Sequence, residues 1–233
     1  MKLYDEQIAH VKALLKGFDV TSLEQNTIWP DVGRHNLILR NEMAYELGGR
    51  ELPAVSFLGV TSSGGLLLEN DALLCGRDLD QITEYSPYAR ITILQVEDSF
   101  FQKKDLLYDS IKRFTNTRYR VNPKGYMNRI STGSNHEPVR VSKEALKEGL
   151  DFSAIAKLYA DAYKKHPEVI RVKVAFVTDP NFPYGDLIRQ IHRTDEITSA
   201  LDHILRDIKM DCSSCKLQTI CNEVEGMREM HFK

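Results

Sequence analysis

The chain has 233 residues, 42% of them hydrophobic and 27% charged, enough to bury a full core as one domain with appendages and without covalent staples. A formal net charge of -2 and a pI near 6.4 exclude a general polyanion binder and leave room for a local basic patch.

The N-terminus, "MKLYDEQIAHVKALLKGFDV", alternates charged and apolar residues at helical spacing and lacks the unbroken apolar stretch of a signal peptide. Ile8, Val11, Leu14 and Leu15 line one face and Gly17 follows as a stop, so an N-terminal helix is expected. No segment approaches ~20 uninterrupted apolar residues, so no membrane association is expected and the expected compartment is the cytoplasm.

Between Asn36 and about Val96, short apolar runs ("NLILR", "AVSFLGV", "RITILQV") are divided by "LGGR", "SSGG" and "SPY", which is turn chemistry, and the runs read as strands. A helix is expected from Lys104 to Phe114, then a polar stretch to Pro138. "VRVSKEALKEGL" reads as a short strand entering a helix capped by Ser142. Phe152, Ile155, Leu158 and Tyr163 predict another helix, capped by Asp151 or Ser153 and ended by His166-Pro167. In "VIRVKVAFVTD", Ile170, Val172, Val174 and Phe176 alternate with Arg171, Lys173 and Ala175, predicting a strand with one covered and one wetter face. "HRTDE" reads as the start of a last helix, opening at Thr194 and running through Ile208.

Strands mixed irregularly with helices predict an α+β fold: a mixed sheet flanked by helices, with an N-terminal helical arm (1–34), a core (35–183) and a helical cysteine-rich segment (184–233).

Two features carry chemistry. Cys212, Cys215 and Cys221 form CxxCx5C, and in a reducing compartment clustered thiolates are metal ligands or redox groups more often than disulfides. A two-residue gap lets one turn aim two thiolates at one centre, and soft all-sulfur donors select an iron-sulfur cluster, with zinc as the alternative. Candidates for a fourth ligand are Cys75, His231 and an external group; a continued helix would set His231 roughly 15 Å along the axis from Cys221. The other histidines share no ligand spacing.

The second feature is a stretch from Ser110 to His136 without Asp or Glu, in which Lys112, Arg113, Arg118, Arg120, Lys124 and Arg129 interleave with Phe114, Tyr119 and Tyr126. Guanidinium forks bind phosphate bidentately and aromatic faces carry adenine, so coenzyme A fits this composition; so does single-stranded nucleic acid, and so does a plainly solvated basic face.

Read in order, "YELGGRELPAV", "RDLDQI", "LLYDSIKRFTNTRYRVNPKGYM", "PVRVSKEALKEGL" and "VIRVKVAFVTD" resemble the middle domain of acetyl-CoA synthase, the beta subunit of the carbon monoxide dehydrogenase/acetyl-CoA synthase complex. The likeness covers residues 40 to 180 and, more loosely, the cysteine segment. It implies coenzyme A contact through Arg113, Arg118, Arg120, Lys124 and Arg140. It also implies a [4Fe-4S] cluster on Cys212, Cys215 and Cys221, and a carbon monoxide dehydrogenase or corrinoid protein as partner. In that family the third cysteine comes later than here and a fourth lies further downstream. Its nickel-binding Cys-Gly-Cys tripeptide does not occur in this sequence. Square-planar nickel needs those donors in one plane. The expectation is therefore an accessory iron-sulfur protein of carbonyl or acyl-CoA metabolism rather than a self-sufficient synthase. The rival readings are a zinc-knot docking module of a larger complex and a single-stranded nucleic-acid binder.

Overall fold

The computed structural model describes residues 2–233 except 39, 50, 131–134, 206–213, 225, 228–229 and 231–233. Two sheets organise it. The larger is built from β1 (Thr21–Ser22), β3 (Ala54–Thr61), β4 (Ala72–Cys75), β5 (Tyr88–Val96) and β8 (Val169–Val177), in the spatial order β1-β4-β8-β5-β3. β4 is parallel to β8 and β3 to β5, whereas β8 runs antiparallel to β5, so the sheet is mixed. The smaller sheet is antiparallel, in the order β2-β7-β6, from β2 (Ala44–Leu47), β6 (Tyr126–Asn128) and β7 (Val139–Ser142). With the helices α1 (Asp5–Lys16), α2 (Lys104–Thr117), α3 (Lys143–Lys147), α4 (Phe152–Tyr163), α5 (Tyr184–Leu205) and α6 (Gln218–Glu223), this is the expected α+β class.

Register assigns the faces. Ser56, Arg90, Phe176 and Leu74 lie side by side across four strands, so their side chains share one face, which α4 covers. Phe152 of α4 stacks on Phe176 with ring centroids 4.4 Å apart. On the other face α1 docks at Gly59, where a Cβ would meet Ile8 Cγ1 at 2.5 Å; only a glycine allows that approach. α5 runs along the β3 side, touching α1 on one flank and α2 on the other.

The helix caps follow from composition. Ser142 accepts from the Ala145 amide and Asp151 from the Ala154 amide, each satisfying a donor that the first turn leaves unpaired. Gly125, at φ +78°, closes the turn into β6, and its missing Cβ makes room for Ala145 of α3.

Three expectations change. β8 is a central strand with β4 and β5 on either side, so from Val172 onward both faces are buried, and Ile170, read as a core position, is 50% exposed near its start. Lys173 is buried with its ammonium reaching Asp71, so the wetter face does not exist there. α5 opens at Tyr184, ten residues before Thr194, because Tyr184, Leu187 and Ile191 extend the apolar stripe of Ile197 and Leu201 backwards. "HRTDE" lies inside that helix. Finally, the described residues of "NLILR" form no strand, and Leu37 points outward while Ile38 is buried.

The arm crosses the smaller sheet, with the Trp29 indole N–H donating to the Lys124 carbonyl at 2.8 Å. Asn36 Nδ2 donates to the carbonyls of Pro123 and Tyr126, each at 2.7 Å. Among the described residues no helix is long and apolar enough to cross a membrane.

Candidate functional site: a buried arginine cavity and the cysteine segment

β5 carries one charged residue, Arg90, in an otherwise uncharged and largely apolar run. Alternation places Arg90 and Thr92 on the same face, and Arg90 Nη1 donates to Thr92 Oγ1 at 2.8 Å. The segment 135–137 pairs with the β3 edge through Ser56 N–H to Asn135 O (3.0 Å) and Glu137 N–H to Ala54 O (2.8 Å). That pairing delivers the Glu137 carboxylate to Arg90. The contact is bidentate, Nε to Oε1 at 3.0 Å and Nη2 to Oε2 at 2.9 Å, between side chains 1% and 0% exposed. The guanidinium lies 4.2 Å from the centre of the Tyr159 ring. Burial alone would lower the Arg90 pKa, but Glu137 and the neighbouring tyrosines outweigh it and hold it well above its ordinary value. Around the pair, Tyr88 and Tyr126 share a hydroxyl hydrogen bond of 2.7 Å and Asn128 donates to the Tyr159 hydroxyl at 2.7 Å. Burial pushes all three phenols up. With its oxygens both occupied, Glu137 is a holder of geometry, not a base open to a substrate.

In front of this pair lies a cavity of about 60 Å³, walled by β3, α2 and α5. Arg118, 6% exposed, reaches in from the turn that follows α2, where its Nη1 donates to Ser56 Oγ (2.8 Å) and Asn135 Oδ1 (3.0 Å). Asn135 Nδ2 in turn donates to Asp195 Oδ2 of α5 at 2.7 Å. Desolvation raises the Asp195 pKa, opposed by that hydrogen bond and by the charges of Lys112, Arg118 and His192. A wider cleft of about 290 Å³, bordered by Val55, His136, Ile188 and His192, shares Asn135, Ile191 and Asp195 with the cavity.

The expected coenzyme A residues do not form one cluster. Arg113 and Arg120, seven positions apart, both act on His166, whose pKa is lowered by burial first and, against the opposing charge of Glu168, by these cations. Arg113 also pairs with Glu168 at 2.8 Å and Arg120 is exposed. Arg118 points the other way, into the cavity. Lys124 pairs with Glu148 at 2.7 Å beside α3, and Arg140 with Glu46 at 2.8 Å on the smaller sheet. Of the interleaved aromatics, Phe114 and Tyr126 are core residues and Tyr119 is exposed.

Of the cysteine triad, Cys212 lies outside the described residues, as does His231. Cys215 lies three positions before α6, its carbonyl accepting from the Gln218 amide at 3.1 Å, and Cys221 lies within that helix. Ile220 and Met227 are buried against the core while both cysteines keep partial exposure. Cys75 is a different kind of thiol: 1% exposed at the end of β4, with its pKa pushed up to about 11 by burial and by Asp179 and Asp19. Soft, partly accessible sulfur donors suit an iron-sulfur centre or zinc; a buried thiol of raised pKa does not. Among the described residues no group of three or more His, Cys, Asp or Glu side chains could hold a metal ion.

Sequence reading missed Arg90, Glu137, Ser56, Asn135, Tyr163 and Asp195. One signal was available: an arginine in the middle of "YARITILQV" must be either on a wet face or paired. In comparisons with known proteins, the chain matches no family model and no curated protein.

Proposed function

We propose that the chain is a cytoplasmic iron-sulfur protein accessory to carbonyl or acyl-CoA metabolism, related to the middle domain of acetyl-CoA synthase. Cys212, Cys215 and Cys221 supply thiolates to a [4Fe-4S] cluster. The observation that carries this reading is the contrast among the cysteines: Ile220 and Met227 bury the segment's apolar side while Cys215 and Cys221 stay partly accessible, and Cys75 is sealed in the core. When bound, such a cluster supplies electron transfer or an open iron. The chain's own part is to hold it beside α5, to which α6 is tied by Arg193 and Glu223. The partner in this reading is a carbon monoxide dehydrogenase or corrinoid protein. Coenzyme A phosphates meet Arg113 and Arg120, the two expected residues that share a face, while Arg118, Lys124 and Arg140 serve other contacts.

Iron, sulfide and zinc measured on anaerobically purified protein test the centre. Iron with equimolar sulfide, lost in Cys212→Ser, is expected; stoichiometric zinc without colour replaces this reading with the zinc-knot docking module. A titration with coenzyme A and with single-stranded oligonucleotide tests the surface. Arg113→Ala/Arg120→Ala is expected to weaken coenzyme A binding by roughly tenfold or more, as loss of charge-assisted contacts predicts. Oligonucleotide binding that falls steeply with salt, with no response to coenzyme A, would establish the nucleic-acid reading instead.

A further inference from the structure

His166 stands on the face where Arg113 and Arg120 meet, and no contact of the cluster segment or of the buried cavity involves it. α2 holds it from one side. Thr117 gives its hydroxyl proton to the Arg113 carbonyl at 3.0 Å, so its oxygen is left to accept from the imidazole, whose Nε2 lies 2.7 Å away. The neutral ring therefore carries its proton on Nε2 and a bare nitrogen at Nδ1, for which the described residues supply no hydrogen-bond partner. Phe114 packs edge-on against the ring, with centroids 5.1 Å apart, and restrains its plane.

Charges reach the ring from several segments. Arg113 of α2 and Arg120 of the turn after it are the cations, Glu168 before β8 is the anion, and the exposed Lys164 and Lys165 precede the ring in the chain. Burial opposes a positive imidazole most and the two arginines add to it, against Glu168, so the ring stays neutral to lower pH than an ordinary histidine. Arg113 Nη2 donates to Ser110 Oγ and to Glu168 Oε1, each at 2.8 Å, on a side chain that is 55% exposed. Glu168 Oε2 is buried with no hydrogen-bond partner among the described residues, so this carboxylate holds the guanidinium by one oxygen only. Ion pairs open to solvent in this way are weak, and a bidentate dianion competes with them.

A dianion on Arg113 and Arg120 reverses the field at the ring. It cancels the two charges that resist protonation, and its oxygens accept from an Nδ1–H that the imidazolium has and this neutral tautomer lacks. We propose that His166 is a third residue of this phosphate-binding face, donating Nδ1–H to the bound dianion as imidazolium, so that binding is coupled to proton uptake. His166 takes this role only if Arg113 and Arg120 bind phosphate as proposed above. The sign follows from linkage. The His166 pKa is higher in the complex than in the free protein, so the added affinity is complete below the free-protein pKa and is lost as pH rises through the pKa of the complex.

Sulfate is the probe, because a phosphomonoester itself titrates near pH ~6 whereas sulfate stays a dianion across the range. The histidines of the full chain are titrated by NMR in sodium sulfate and in sodium chloride at equal ionic strength, His166 being assigned through its contact with the Phe114 ring. Its pKa is expected to rise by about 1 unit in sulfate, equivalent to about tenfold tighter binding by the protonated form. The rise should vanish in Arg113→Ala/Arg120→Ala, and the pH dependence of sulfate affinity should vanish in His166→Gln. An unmoved His166 pKa alongside saturable sulfate binding overturns this role and leaves the phosphate reading of the two arginines standing. A rise that persists without the arginines also overturns it. So does the absence of a saturable sulfate response, and if coenzyme A fails to bind as well, the phosphate reading falls with it. Should the double-arginine variant fail to fold, His166→Gln decides: a pH profile as steep as that of the unaltered protein overturns the proposal, and a flat one supports it.

Discussion

Arg90 and Glu137 sit 47 positions apart in the chain and meet with almost no exposed surface. Removing one member leaves the other as an uncompensated buried charge, a loss of about 3–5 kcal/mol. Glu137→Gln is therefore expected to lower the urea midpoint strongly, and the joint replacement Arg90→Met/Glu137→Leu to recover much of that loss; denaturation curves with unchanged slope check both. The tyrosines around the pair give a pH signature. Burial holds Tyr4, Tyr88, Tyr126, Tyr159 and Tyr163 above their ordinary value of 10.0. The unfolded chain then gives up these protons first, so their contribution is complete below pH ~10 and is lost as pH rises beyond it. Stability should fall as pH rises above ~10, and the tyrosinate absorbance of these five should appear together with unfolding rather than ahead of it. At this scale the sequence was least informative. Arg118 was legible as a cation in a basic stretch, but its direction depends on Ser56 and Asn135, which belong to distant segments.

The seam between α1 and β3 rests on one missing methyl. Gly59→Ala is expected to cost about 1–3 kcal/mol by overpacking, because the new Cβ would need the space of Ile8. Ile8→Ala in the same background should return part of it, a coupling that a double-mutant cycle measures. Caps offer a milder test. Asp151→Ala should cost about 1 kcal/mol by freeing the Ala154 amide of α4. Elements were far more legible than the site. "AVSFLGV" and "RITILQV" became β3 and β5, and Ser142 and Asp151 cap as composition predicts, since these signals are local. The failures have tertiary causes. β8 looked half-wet because Arg171 and Lys173 alternate with apolar residues, yet its central position buries the Lys173 stem, whose ammonium reaches out to the exposed Asp71. The start of α5 was hidden because "HRTDE" reads as a helix start, whereas Tyr184, Leu187 and Ile191 bind an earlier turn to the core.

Across the whole molecule, the strongest order lies where β5 and β8 run side by side with both faces covered for most of their length. Amides there should exchange with solvent only on global unfolding, while those of residues 23–36, held by isolated contacts such as Trp29 to Lys124, should exchange earlier; hydrogen exchange read by mass spectrometry checks the order. The sheet's two borders are also closed in different ways. The two-residue β1 caps β4, and the Val55–His136 bridge with α2 and α5 screens β3. A protease cut that released residues 135–137 would strip that screen and present an unsatisfied ladder of amides and carbonyls to the next molecule. Nicked protein should then self-associate into strand-added polymers, and Arg90 would lose its buried carboxylate in the same event.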